Sequence, residues 1–250
     1  MASTKMILDL DTGVDDALAL ALAICDPRVD LIGVIASYGN TLVETSAQNT
    51  LNLLQLLGEN DVPVYLGESH SSTTDHFDVM PISQAIHGDN GVGNLSLDVA
   101  TRQIETTSGV QFLIDMAHQY QDELVYVPTG PLTNMAKALE IDPEIAHLIG
   151  NTTLMGGALT VPGNVTPFTE ANISQDPEAS DKVFTTQENL TMVGLDVTLR
   201  TLLTKKDIQQ WRDLGTKAGT AYADLMDFYI EAYDRLDICL LYTSPSPRDR

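Results

Sequence analysis

Residues 8–20 read LDLDTGVDDALAL and hold four aspartates, Asp9, Asp11, Asp15 and Asp16, within eight positions. Carboxylates this crowded repel one another, and each resists burial without a partner. Asp9 and Asp11 stand two residues apart on a strand-like run, so their side chains leave the same face. Thr12-Gly13 turns the chain. Asp15 and Asp16 then open a helix-like run, where the macrodipole favours anions. That preference accounts for one of the second pair and leaves Asp9 and Asp11 unexplained. A hard cation, Ca²⁺ or Mg²⁺, explains the whole cluster, because it takes oxygen ligands and offsets their repulsion. An EF-hand is excluded, since its loop needs a ligand where Gly13 sits and a Glu where Leu20 sits.

The elements that must position these carboxylates follow from the apolar runs. Strands are expected at 5–10, 30–37, 62–67, 123–130, 152–157 and 190–196. Helices are expected over about 14–25, 43–57, 110–120 and 177–184, with one long helix over about 207–237. Nearly continuous apolar strands alternating with helices imply an α/β fold: an open, mostly parallel Rossmann-like sheet with helices on both faces. The stretch 68–108 is the longest irregular region, of the kind that forms active-site lids. In such a sheet, ligands bind beyond the carboxyl ends of the strands. Those ends carry DLDTGVDD, SYGNT, PTGPLTN, the long GGALTVPGNVTPFTEANISQDPEA and LDVT. Each is ordinary turn chemistry alone; together they place Asn, Gly and carboxylates around one crevice.

The 35 acidic and 13 basic residues of the 250-residue chain give a formal net charge of −22. That opposes a nucleic-acid or anionic-membrane partner, which needs clustered Lys and Arg, and permits a cation or an uncharged small substrate. Two cysteines, Cys25 and Cys239, with no CxxC, speak against a disulfide framework or a zinc site. No signal peptide or membrane span is read, so the expected location is the cytosol.

The run DLDTGVDDALAL resembles the N-terminal DxDxxxDD signature of the inosine–uridine nucleoside hydrolase family. The similarity continues through GN at 39–40, HGDNGVGN at 87–94, VPTGPLTN at 127–134, LMGGA at 154–158 and GNVTPFTEANISQDPEA at 163–179, in family order over about residues 5–235. It implies hydrolysis of the N-glycosidic bond of ribonucleosides to ribose and free base, with a bound Ca²⁺ and an oxocarbenium-like transition state. It also implies Asp11, Asp16 and the Thr129 carbonyl as metal ligands, with Asp11 taking the proton of a calcium-activated water. Asp15 is implied to hold the ribose 2′-hydroxyl, Asn172 the 2′/3′-hydroxyls, and Asn164 with Glu170 the 5′-hydroxyl. Asn40 is implied near the reacting carbon, Met155 in the ribose pocket and His87 in the base-binding region. Asp9 is assigned a supporting place behind these groups. The expected partner is a small ribonucleoside, and the family likeness implies a homodimer or tetramer. Base preference is left open.

The sequence departs from the family in one respect. Family members carry a late His-Asp pair whose Asp binds the metal and whose His, in some subgroups, protonates the leaving base; no such pair follows residue 200. Codons for Cys239 to Asp249 back-translate without mismatch to the end of a widely used transposase sequencing adapter. Residues 239–250 are therefore expected to be a read-through tail behind an incomplete hydrolase domain at 1–238, whose C-terminal elements are missing and which is inactive as written. Two other readings compete. A haloacid-dehalogenase-type phosphatase also starts on a strand ending in DxD, with Asp9 as nucleophile, but its motif wants Thr or Val where Gly13 stands. A nucleoside- or calcium-binding chain without turnover is the other.

Overall fold

The computed structural model describes residues 3–201 and 203–236; the expected tail at 239–250 lies outside them. In chain order the elements are β1 (Thr4–Leu10), α1 (Val14–Cys25), β2 (Val29–Ala36), α2 (Val43–Leu57), β3 (Val64–Leu66), α3 (Pro81–His87) and α4 (Gly109–Tyr120). Then come β4 (Leu124–Pro128), α5 (Thr133–Ile141), α6 (Ile145–Leu148), β5 (Asn151–Met155), α7 (Ala171–Gln175), α8 (Pro177–Thr186) and β6 (Leu190–Val193). The last are α9 (Leu195–Thr198), α10 (Lys205–Asp213) and α11 (Lys217–Arg235).

The described strands form one sheet in the order β3-β2-β1-β4-β5-β6, and each neighbouring pair is parallel. The six strands are those expected, with β1, β2 and β5 starting one residue earlier and β2 to β6 ending one to three residues sooner. Side chains of β1 alternate between two cores. Leu8 and Leu10 pack with Leu20, Leu51, Leu54 and Ile230 from α1, α2 and α11. Ile7 packs with Leu113, Met135, Leu139 and Val183 from α4, α5 and α8. Each such side chain contributes roughly 1.5–3 kcal/mol when fully buried, so the two faces hold the sheet between helices on both sides.

Order reverses between β1 and β4. From β1 the chain winds outward through β2 and β3, then returns to β4 and winds the other way. The loops after β1 and β4 therefore part above the sheet and leave the crevice in which ligands of such folds sit.

Three expectations need correction. The helix expected over 207–237 is two helices. Gly215 between them has φ +64°, a left-handed conformation suited to glycine, and the Thr216 side chain accepts from the Gly219 N–H at 3.0 Å to start α11. The stretch 68–108 contains α3. The run after β4, read as a loop, opens α5 at Thr133. Among the described residues no helix is long and apolar enough to cross a membrane.

Candidate active site

Asp9, the one acid of β1, is 1% exposed. Its Oδ2 accepts from the Tyr126 hydroxyl of β4 and from Asn134 Nδ2 of α5 at 3.0 Å, and its Oδ1 accepts from Asn134 Nδ2 at 3.1 Å. Burial pushes its carboxyl up to about 7 against those hydrogen bonds, with the Asp16 charge adding to the rise. Asn134 is itself fixed, since its Oδ1 accepts from the Glu68 N–H at 2.7 Å. Asp9 thus ties β1 to β4 and α5 and is no exposed nucleophile, which removes the structural basis of the phosphatase reading.

Asp11 follows the end of β1 and is also 1% exposed. Its Oδ2 accepts from the Asn40 N–H at 2.7 Å. Its Oδ1 is buried and has no hydrogen-bond partner among the described residues. Burial, then the charges of Asp16 and Asp15, raise its carboxyl well above the usual range. The loop after β2 reaches it closely: a Cβ on Gly39, where φ is +151°, would lie 2.2 Å from Asp11 Oδ2.

Asp16, in the first turn of α1, stands beside it. Asp16 Oδ2 accepts from the Gly13 N–H at 2.8 Å and Asn40 Nδ2 at 3.3 Å, and Oδ1 accepts from the Thr129 hydroxyl at 2.6 Å. Burial and the Asp15 charge push it up to about 6. Asn40 therefore binds both carboxylates, one through its backbone and one through its side chain.

Asp11 and Asp16 are two buried carboxylates held against each other, one with an oxygen lacking any donor. Such a pair takes up a proton or a cation, and an all-oxygen set suits a hard divalent ion. The Thr129 carbonyl expected to complete the set accepts from Asn172 Nδ2 at 2.6 Å; a carbonyl oxygen has a second lone pair and can still serve. A second cluster, His118, Asp142 and Glu144, has ligand atoms within 4.8 Å of one another. It lies on the surface where α4 and α5 end, away from the strand-end crevice, and its His118 Nε2 already sits 2.6 Å from Asp142 Oδ2. The buried oxygen without a donor is at Asp11, and the surface cluster has no such atom among the described residues.

The remaining expected residues divide. Asn172 Nδ2 also reaches the Met155 carbonyl at 3.1 Å and its Sδ at 3.3 Å, which links β5 to β4. Glu170 caps α7: Oε1 accepts from the Asn172 N–H at 3.0 Å, and Oε2 from Gly157 at 2.9 Å and Ile173 at 3.2 Å. Asn164 is exposed, and its Oδ1 accepts from the Ala171 N–H at 3.0 Å. These three stand together at the end of β5, with their side chains engaged in holding the loop. Asp15 faces outward beside His87, 3.8 Å from its Nδ1. The His87 Nδ1 accepts from the Val14 N–H at 3.1 Å, which keeps the ring neutral with its proton on Nε2. Burial pushes this histidine down to about 4, against the pull of Asp16.

Sequence reasoning missed the aromatic side of the crevice. The Tyr229 hydroxyl of α11 lies 3.5 Å from Asp15 Oδ2, and its ring centroid is 5.5 Å from His87 and 4.8 Å from Tyr233. The spacing of four between the two tyrosines puts them on one helix face and is the signal that could have found them. Tyr126 and Asn134, the partners of Asp9, were missed as well.

Comparison with known proteins bears on the family and the fold. The model of the inosine–uridine preferring nucleoside hydrolase family matches residues 6–245. A pyrimidine-specific ribonucleoside hydrolase, RihB, of Escherichia coli O157:H7 is 38% identical over 231 residues, 92% of this chain and 72% of that protein. The solved structure of a purine-preferring ribonucleoside hydrolase from Gardnerella vaginalis superposes with a TM-score of 0.93 at 53% identity, over 95% of this chain and 77% of that one. That of a plant nucleoside hydrolase superposes with a TM-score of 0.90 at 34% identity, over 96% of this chain and 75% of that one.

Proposed function

The chain belongs to the inosine–uridine preferring nucleoside hydrolase family, a family of ribonucleoside hydrolases, and we propose that the reaction runs at the crevice between β1 and β4, with Asp11 as general base beside a Ca²⁺ site. The observation that carries this reading is the buried, partnerless Oδ1 of Asp11 next to Asp16. Asp11, Asp16 and the Thr129 carbonyl would hold the ion. When bound, a divalent cation offsets the charge of the two carboxylates and lowers the pKa of a water molecule beside them.

The chain's own residues supply the rest. Asp11 Oδ1 accepts a proton from the attacking water as its oxygen joins C1′ of the ribose, while the bond from C1′ to the base nitrogen breaks, its electron pair leaves with the base, and the base takes up a proton from solvent. Positive charge develops on the ribosyl ring in the transition state, and the acidic crevice stabilises it. Asp15, facing outward at the first turn of α1, accepts from the 2′-hydroxyl. Asn40 bridges Asp11 and Asp16, with its N–H on the first and its Nδ2 on the second. Asn172 and Met155 line the ribose side; Asn164 and Glu170 stand where the 5′ end would lie. The Nε2–H of His87 and the rings of Tyr229 and Tyr233 face the position of the base, which such rings can stack. The preferences named for the relatives divide between purine and pyrimidine, so the reading commits to ribose recognition and leaves the base open.

The test is ribose release from inosine and from uridine by the purified chain, with and without chelator, together with calorimetry of Ca²⁺ binding. Chelator-sensitive ribose release, in place of the inactivity expected from the sequence, and one Ca²⁺ site that Asp11→Ala abolishes are expected. The absence of both ribose release and a Ca²⁺ site would overturn the reading. Ca²⁺ binding without turnover would favour a binding chain.

A further inference from the structure

Asp176 belongs to none of the groups above, yet it is wholly buried and accepts four hydrogen bonds from four neutral donors. Its Oδ1 accepts from Ser72 Oγ at 2.7 Å and the Ala179 N–H at 3.1 Å. Its Oδ2 accepts from the Ser72 N–H and from the Thr133 hydroxyl, both at 2.7 Å. The Ala179 bond is the ordinary N-cap of α8 and accounts for one acceptor. A capping Asp needs no more than that, so the other three bonds set this residue apart.

Those three lead to the loops that carry the site. Thr133 gives its only proton to Asp176, so at the 2.8 Å contact between the Tyr38 and Thr133 hydroxyls Tyr38 is the donor. The chain of bonds therefore has one direction, from Tyr38 through Thr133 to Asp176. Tyr38 precedes Gly39-Asn40, the segment that clasps Asp11. Thr133 precedes Asn134, the residue that clasps Asp9. Ser72 begins the irregular segment that leads to α3 and His87, and Phe77 of that segment packs on the Tyr38 ring with centroids 4.8 Å apart.

We propose that Asp176 is a positioning residue with two separable arms: through Thr133 and Tyr38 it sets the Asn40 backbone on Asp11, and through Ser72 it pins the 72–80 segment beside the crevice. The proposal rests on the reading of the crevice as the nucleoside hydrolase site. The first arm acts on chemistry and cation affinity, since it controls groups one bond removed from Asp11. The second acts on substrate binding, since it controls a loop.

The test separates the arms in the full chain. Tyr38→Phe keeps the ring against Phe77 and removes only the hydroxyl; it should lower kcat and Ca²⁺ affinity about tenfold, the scale of lost outer-shell partners, with KM and chymotryptic cleavage at Phe77 unchanged. Thr133→Val should do the same, and Thr133→Ser should restore wild-type values. Ser72→Ala should speed cleavage at Phe77 and raise KM while kcat and Ca²⁺ affinity hold. Asp176→Asn should show both effects. A uniform loss of thermal stability with kcat, KM, Ca²⁺ affinity and cleavage rate all as in wild type would overturn the proposal, as would identical profiles for the two arms. Wild-type protein that releases no ribose defeats the reading of the site's function instead; the calcium titration and the cleavage rates still decide the two arms.

Discussion

Asp9 and Asp11 differ by two positions and share the same burial, yet their partners assign them opposite work. Every oxygen of Asp9 meets a donor that cannot turn away, because Asn134 is locked by the Glu68 N–H. Asp9→Asn would set an amide against the Tyr126 hydroxyl or Asn134 Nδ2, and should cost about 1–3 kcal/mol of stability in urea denaturation. Asp11→Asn keeps the acceptor for the Asn40 N–H and removes a buried charge; it should leave cation-free stability near wild type while lowering ribose release about 10²–10⁴-fold. Equal stability losses for the two variants would refute this division. Spacing alone could not make it: the four aspartates are equivalent as sequence, and Tyr126 and Asn134 lie far along the chain. His87 adds a pH dependence. Its pKa falls from 6.5 to about 4 on folding, so its contribution is full above 6.5 and is lost as pH drops toward 4, where unfolded chains take up the proton. Asp9 and Asp16, raised to about 7 and about 6, act in the opposite sense: their contribution declines as pH rises through those values. The wild-type profile therefore mixes both signs. The stability difference between wild type and His87→Gln isolates the histidine and should shrink by about 2 kcal/mol between pH 7.5 and pH 5; a difference that grows would contradict it.

At the scale of elements, the strand ends were legible because apolar runs of strand length stop at polar, Gly-rich turns. α1 and α2 were legible to the residue. The break between α10 and α11 was not, because helical periodicity resumes after Gly215 and masks the turn. α5 was hidden for a different reason: its first residues, Thr133 and Asn134, read as loop chemistry and in fact serve the site from a helix start. The β2 loop shows what such local detail does. Gly39 lets the backbone pass so close to Asp11 that a methyl group would sit 2.2 Å from its carboxylate oxygen. Gly39→Ala should therefore move the Asn40 N–H off Asp11. A cost of about 1–3 kcal/mol for the strained φ is expected, together with a loss of Ca²⁺ binding by calorimetry. A Gly39→Ala protein that binds Ca²⁺ as tightly as wild type would show that the loop yields.

Across the whole molecule, the alternation of strands and helices made the parallel sheet predictable, while the reversal of strand order between β1 and β4 was visible only in the fold. That reversal explains why residues as distant as Asp11, Asn40, Thr129 and Asn172 meet. It also places an acidic site at the centre of a chain with a net charge of −22. Two kinds of cation effect on stability must then be told apart. Monovalent salt screens the diffuse repulsion among surface carboxylates and should raise stability gradually in wild type and variants alike. Ca²⁺ at the proposed site between Asp11 and Asp16 would act by mass action, stabilising the fold by about 2.7 kcal/mol at a hundred times its Kd. Because the pair is buried, that increment should persist in about 0.5 M NaCl, where surface effects are largely screened. Thermal denaturation of wild type and Asp11→Ala in NaCl, with and without Ca²⁺, should show the increment in the former alone. If Asp11→Ala gains as much from Ca²⁺ as wild type does, the ion is acting on the surface and the strand-end crevice is not its site.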